Sequence, residues 1–247
     1  MRPEQKWISV SIVILLILFV GYKYFYLSRR PILYPNFGIS IPAGYKTHGI
    51  DVSHYQHEID WELVSEMEDK GQRLSFAIVK ATEGTNKMDR KFKLNWNQLA
   101  DRKLLRGAYL YLHANKSGKM QADYFISKVK LQSGDLAPVI DIEETKRQSD
   151  TQIRKVVKDC AEVLEAHYKT KPIIYSNVDF YEKNLGEAFN AYPFWAAHYE
   201  QLHEPRISRD WLIWQHSCKG RVNGILSEVD FNVVNGSLNS LKNYCVE

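Results

Sequence analysis

The chain has 247 residues, 45% hydrophobic and 13% aromatic, enough apolar material for a packed core and too much for a disordered chain. Its formal charge is +4, but residues 1–30 hold Arg2, Lys6, Lys23, Arg29 and Arg30 against Glu4 alone. The other 217 residues carry 28 basic and 28 acidic groups, so the body has no uniform basic field and no nucleic-acid partner is expected.

From the amino end, residues 7–22 carry no charge and include SIVILLILFV. Continued past Lys23 to Leu27, the run reaches 21 residues, and about 20 suffice to cross a bilayer as a helix. Trp7, Tyr22, Tyr24 and Tyr26 suit the two interfacial belts. A cleaved secretory signal would share the charged start and apolar centre, but GYKYFYLSRRP offers no A-x-A-like cleavage triplet. The expected organisation is a short tail (1–6), an uncleaved transmembrane signal anchor (7–27), an extended linker (28–46) and a folded domain (47–247). Pro31, Pro35 and Pro42, with Gly38 and Gly44, are the linker signals. Positive charges flank both ends of the apolar run, so charge alone does not orient it. Cys160, Cys218 and Cys245 match no metal spacing; Cys160 reads as a small core residue, and a Cys218–Cys245 bridge stays open.

Eight short apolar runs follow as candidate strands, at 48–53, 75–81, 105–112, 137–143, 172–176, 193–198, 211–217 and 227–232. Helical patterns separate several of them, at 60–70, 89–103, 117–130 and 149–169. Near-continuous apolar strands alternating with helices predict an α/β fold with a parallel sheet covered on both faces. The later connections are too short for a helix each. The expected fold is therefore an irregular TIM-like (β/α) barrel with fewer helices than the regular eightfold form, preceded by one N-terminal transmembrane helix.

Carboxylates fall where such strands end. Asp51 ends the first, Glu83 follows the second, Asp141 and Glu143 end the fourth, and Asp230 lies toward the end of the last. Parallel barrels open the carboxyl ends of their strands onto one face, so these acids are expected to converge there. Any one of them alone reads equally well as a helix cap or turn residue. Asp141 and Glu143 are two apart on a strand and point the same way, close enough that one carboxyl gains a proton at the expense of the other. That pairing suits glycoside hydrolysis, in which one group protonates the leaving oxygen and the other steadies the positive centre. A divalent metal is the alternative use, but no further ligand pattern accompanies the pair, and no metal or cofactor is expected. Tyr109, Tyr111, Tyr175, Trp195, Tyr199, Trp214 and Gln215 lie at strand ends around the acids and offer surfaces for sugar rings, with Gln215 better placed than Trp214.

The blocks GIDVSHYQ (49–56), FAIVKATEG (76–84), GAYLY (107–111), APVIDIEE (137–144), PIIYSN (172–177), PFWAAHY (193–199), IWQHS (213–217) and VDFNVVNG (229–236) resemble, in order, those of glycoside hydrolase family 25. These are the Chalaropsis-type lysozymes, which cleave peptidoglycan between N-acetylmuramic acid and N-acetylglucosamine. The resemblance implies that Glu143 is the general acid and Asp141 its partner, as nucleophile or by orienting the 2-acetamido group. It implies that Asp51 and Asp230 complete the acidic cluster; beside them Tyr109, Tyr111, Glu83, Tyr175, Trp195 and Gln215 are expected to bind substrate. It also implies an irregular barrel, a monomeric catalytic domain and no cofactor. One departure is Leu110, where many members carry His; alternation turns that side chain away from the acids, and Glu144 likewise. The expected protein is a single-pass enzyme of the cytoplasmic (inner) membrane, with the lipid bilayer and peptidoglycan as partners and the domain facing the periplasm or cell exterior. A hydrolase of another N-acetylhexosamine polymer such as chitin, and a non-catalytic wall-binding module, are the competing readings.

Overall fold

The structure, a computed structural model, describes residues 14–24 and 30–247. Eight strands close into a barrel: β1 (His48–Val52), β2 (Gln72–Glu83), β3 (Leu105–Tyr111), β4 (Val139–Asp141), β5 (Ile173–Asn177), β6 (Phe194–Ala197), β7 (Ile213–Gly220) and β8 (Val229–Val234). Each falls on a run expected as a strand. Neighbours from β1 through β7 pair in parallel, whereas β8 is antiparallel to both β7 and β1. The wholly parallel sheet read from the sequence is thus corrected at its last strand. The link at 221–228 is too short for a crossover, so the chain turns back as a hairpin instead.

Period-two alternation sorts the side chains into two cores. Phe76, Ile78, Val139, Ile173, Trp195, Ile213 and Val234 fill the barrel. Ala77, Val79, Ile140, Ile174, Ala196, Trp214 and Phe231 point outward into the second core. Gly49 makes the inner filling possible: a Cβ there would meet the Phe76 ring at 2.5 Å.

Helices α1 (Trp61–Glu66), α2 (Phe92–Ala100), α3 (Gly118–Lys128) and α4 (Asp150–Tyr168) accompany the first half of the barrel. Asp60, Ser117 and Ser149 cap α1, α3 and α4 by accepting hydrogen bonds from first-turn amides. In α4 the stripe Ile153, Val156, Val157, Cys160, Ala161 and Leu164 is buried, as its 3–4 spacing predicts. After β5 the regular helices give way to three successive short helical segments over 178–189, and a short α5 (Leu238–Lys242) ends the fold.

An N-terminal hairpin takes the place of a missing helix over β7 and β8. Its strands, Ile32–Tyr34 and Ile39–Ile41, pair antiparallel. Phe37 and Ile41 are buried, the Phe37 ring lies 5.1 Å from that of Phe231 on β8, and the Arg221 amide donates to the Phe37 carbonyl at 2.8 Å. The extended linker expected over 28–46 is corrected here. Pro35 and Gly38 (φ 68°) shape a turn inside a docked hairpin, the same residue types serving tight turns as serve loose linkers. Residues 14–24 are helical with exposed apolar side chains. The rest of the expected anchor (7–13 and 25–27) and the tail (1–6) lie outside the described residues. Among the described residues no helix is long and apolar enough to cross a membrane. Cys160, Cys218 and Cys245 are free thiols, so the Cys218–Cys245 bridge is not formed.

Two histidines of the barrel wall, His48 on β1 and His216 on β7, are buried, and among the described residues His216 Nε2 has no hydrogen-bond partner. Burial pushes His48 down to about 4 and His216 down to about 3. Unfolded histidines protonate near about 6.5. Below that pH the unfolded chain takes up protons that the folded chain refuses, so the stability these groups hold above about 6.5 drains as the pH falls toward 4. Between pH 7 and pH 4, wild type should lose about 3 kcal/mol relative to His48→Gln, read as a growing gap between urea-unfolding curves. Curves that keep a constant separation would contradict this.

Candidate active site

Four acids meet at one mouth of the barrel. Asp51 stands near the end of β1, Asp141 ends β4, and Glu143 follows two residues later on the same face. Asp230 is the residue paired with Asp51 across the β8–β1 ladder. Its position is corrected by the structure. It lies near the start of β8, and the antiparallel run of that strand brings its amino end to the carboxyl ends of the others. All four acids line one cleft of about 250 Å³, together with Lys80, Tyr109, Tyr111, Tyr175, Trp195 and Gln215.

A hydrogen-bonded chain ties the site across the barrel. Gln215 Nε2 and Asn232 Nδ2 both donate to Asp51 Oδ1, at 2.9 and 2.7 Å. Trp195 Nε1 donates to Asn232 Oδ1 at 2.8 Å and fixes its amide. Gln215 Oε1 accepts from the hydroxyls of Tyr175 (2.8 Å) and Tyr199 (2.7 Å). The Tyr175 hydroxyl also lies 3.1 Å from Glu143 Oε1. One hydroxyl has one proton, and the shorter contact takes it to Gln215. Tyr175 is then free to accept from a protonated Glu143. Burial first, and the surrounding acids second, raise the Tyr175 hydroxyl, which therefore keeps its proton at neutral pH.

Burial raises the pKa of every acid in the cluster. Glu143 is raised by desolvation, opposed by Tyr175 and Lys80. Asp230 is pushed up to about 6 by burial and then by the charge of Glu143. Asp51 is raised by burial and by Asp230, against the two amides that favour its charged form. Asp141 is raised by burial and by the charge of Glu143, while Lys80 draws it down. That repulsion vanishes once Glu143 holds a proton, which leaves burial as the main cause raising Asp141 and Lys80 as the charge opposing it. Asp141 Oδ1 is buried and has no donor among the described residues. Among the described residues no group of three or more His, Cys, Asp or Glu is arranged to hold a metal ion.

The expected substrate residues divide three ways. Tyr109 and Tyr111 line the cleft at intermediate exposure, whereas Tyr175, Trp195 and Gln215 are buried floor that positions the acids. Glu83 does not line the cleft. Burial works against its carboxylate, but Lys80 at 2.9 Å and Lys87 at 3.1 Å outweigh it and pull it down to about 2. Glu83 is thus corrected from a substrate contact to the anchor of Lys80. Trp214 and Leu110 face the outer core, and Glu144 is exposed, as alternation predicts. The sequence reading passed over Lys80, Asn232 and Tyr55. The first two were legible, since Lys80 shares the inward face of Ile78 and Asn232 that of Asp230. Tyr55 sits on the rim, 70% exposed, in a turn capped by Ser53, a loop position with no periodic signal.

Comparison with known proteins accords with this geometry. The model of "Glycosyl hydrolases family 25" matches residues 50–225, a span that includes Asp51, Asp141 and Glu143. The chain is 44% identical over 221 residues to uncharacterized protein YegX of Escherichia coli (strain K12), covering 90% of this chain and 80% of that one. It is 36% identical over 206 residues to lysozyme M1 of Streptomyces globisporus, covering 76% and 68%. The crystal structure of the bacterial lysozyme from Streptomyces coelicolor superposes with a TM-score of 0.73 at 33% identity, covering 82% of this chain and 98% of that one. The chain therefore belongs to glycoside hydrolase family 25.

Proposed function

We propose that this glycoside hydrolase is a lysozyme (N-acetylmuramidase) that cleaves the β-1,4 bond between N-acetylmuramic acid and N-acetylglucosamine in peptidoglycan, with Glu143 as general acid and Asp141 as its carboxylate partner. The observation that carries this reading is the pair itself. Glu143 is raised by burial and can rest its proton on Tyr175, while Asp141 next to it presents a buried oxygen with no donor among the described residues. A raised acid able to donate a proton beside a second carboxyl facing the same cleft is the pairing glycoside hydrolysis needs.

In the reaction the bond between the anomeric carbon and the leaving oxygen breaks. Its electron pair goes to that oxygen, which takes the proton of Glu143. The positive centre left on the sugar faces Asp141, whose unpaired oxygen suits the N–H of a 2-acetamido group. Water then adds to the anomeric carbon and returns a proton to Glu143. Lysozyme M1 and the Streptomyces coelicolor lysozyme supply the substrate class by analogy.

The anchor belongs to the same reading. Residues 7–27 tether the body to the cytoplasmic membrane, with the barrel facing the periplasm or cell exterior, where peptidoglycan lies. Support comes from the uncharged run 7–22, its aromatic flanks and the clustering of the net charge beside it.

Glu143→Gln should lower the release of reducing muropeptides, followed by mass spectrometry of digested peptidoglycan, by about 10² to 10⁴. Its unfolding midpoint at pH 7 should not fall, because the variant no longer buries an ionisable group. An active, well-folded Glu143→Gln protein would refute the assignment. Protease added to intact spheroplasts should digest the barrel of the full chain. Protection there, with digestion only after lysis, would refute the outward orientation.

A further inference from the structure

The rim of the cleft changes sign beyond Tyr111. Tyr111 lines the cleft, and its ring meets that of His113, in the loop leaving β3, edge to face at 5.7 Å. Lys116 and Lys146 both act on His113 through their charge, and Glu83 Oε1 lies 3.6 Å from its Nε2. Lys80 and Lys87 close on Glu83, and Lys146 pairs with Glu144. Four ammonium groups thus stand against two carboxylates at this part of the rim, beside a cleft that holds four acids.

Lys116 is the ammonium left over. It is partly buried, and among the described residues its side chain has no ion pair and no hydrogen-bond acceptor. Its Nζ packs on the turn at Gly84 (φ 59°), where an added Cβ would meet it at 2.9 Å and His113 Nδ1 at 3.4 Å. Glycine therefore leaves a notch that the ammonium and the imidazole share. Burial, then Lys116, lowers the pKa of His113, so the ring stays neutral at neutral pH and Lys116 is the charge of the notch. Lys116 also directly precedes Ser117, the N-cap of α3, where the positive end of the helix favours an acid and disfavours a lysine. A cation kept in that position, partly out of water and without a counter-ion, is set to receive an anion. The sugar backbone of peptidoglycan is uncharged, and its carboxylates sit on the stem peptide that hangs from each muramic acid. The acids of the cleft repel such a stem, so its favoured course runs out over the basic rim.

We propose that the notch formed by Lys116, His113 and Gly84 binds a carboxylate of the stem peptide carried by the muramic acid in the cleft, and so selects substrate that bears an acidic stem. This rests on the muramidase reading above. The test gives the full chain two soluble muropeptide tetrasaccharides, one with its stem carboxyls free and one with them converted to amides, and compares kcat/KM. Wild type should prefer the free acids by about fivefold, the worth of a partly exposed ion pair, and the preference should shrink as salt is raised. Lys116→Met should erase the preference while turning over the amidated substrate as wild type does. Lys116→Arg, which keeps the charge, should retain part of it. A wild type indifferent to amidation would overturn the proposal. So would a Lys116→Met protein that keeps the full preference, whether or not both rates fall together. Wild-type inactivity on both substrates would instead sink the muramidase reading, and this site with it.

Discussion

The two amide hydrogen bonds that close on Asp51 Oδ1 are the constraint from which the rest of the site follows. Asp51 is almost fully enclosed, and a buried carboxyl without donors costs several kcal/mol. Gln215 and Asn232 supply those donors because, in the closed ring, β8 lies beside β1 and β7 lies next beyond β8. Each amide is held at its other end, Asn232 by the Trp195 indole and Gln215 by two tyrosine hydroxyls. Tyr175 then passes the alignment on to Glu143. Barrel closure, the antiparallel turn of β8 and the state of the acid are thus one connected matter.

The same arrangement sets a cost on the fold. Acids raised by burial weaken the folded state as the pH climbs through their shifted values, since the unfolded chain gives up protons more readily. Buried His48 and His216 act in the opposite sense, weakening it as the pH falls. Below the acids the barrel is filled by apolar side chains such as Phe76, Ile78, Val139, Ile173 and Ile213. The raised acids are thus a destabilising set placed where they do chemistry, which is the usual trade between activity and stability.

Much of this was legible in the sequence, for physical reasons that also mark where legibility stops. Strands buried on both faces advertise themselves as apolar runs, and period-two alternation places Asp141, Glu143 and Gln215 inside and Leu110 and Trp214 outside. Strand direction has no such signature. The run around Asp230 reads the same either way, so only the short link before it hinted that β8 turns back. Proline and glycine between residues 31 and 44 mark a turn as readily as a linker; the alternation of Phe37, Ile39 and Ile41 was the overlooked sign that something there is buried. Glu83 was misread because an acid at a strand end does not reveal which lysines will close on it.

The central claim is that burial in the barrel raises the Glu143 carboxyl above an ordinary glutamate, against the opposing pull of Tyr175 and Lys80, and so favours the proton-donating form. Carboxyl ¹³C NMR of glutamate-labelled protein, with Glu143→Gln to identify the signal, measures this directly. Glu143 should titrate above the ordinary glutamate value of about 4.3. A Glu143 midpoint at or below that value would contradict the claim, since the group would then be ionised when its proton is needed.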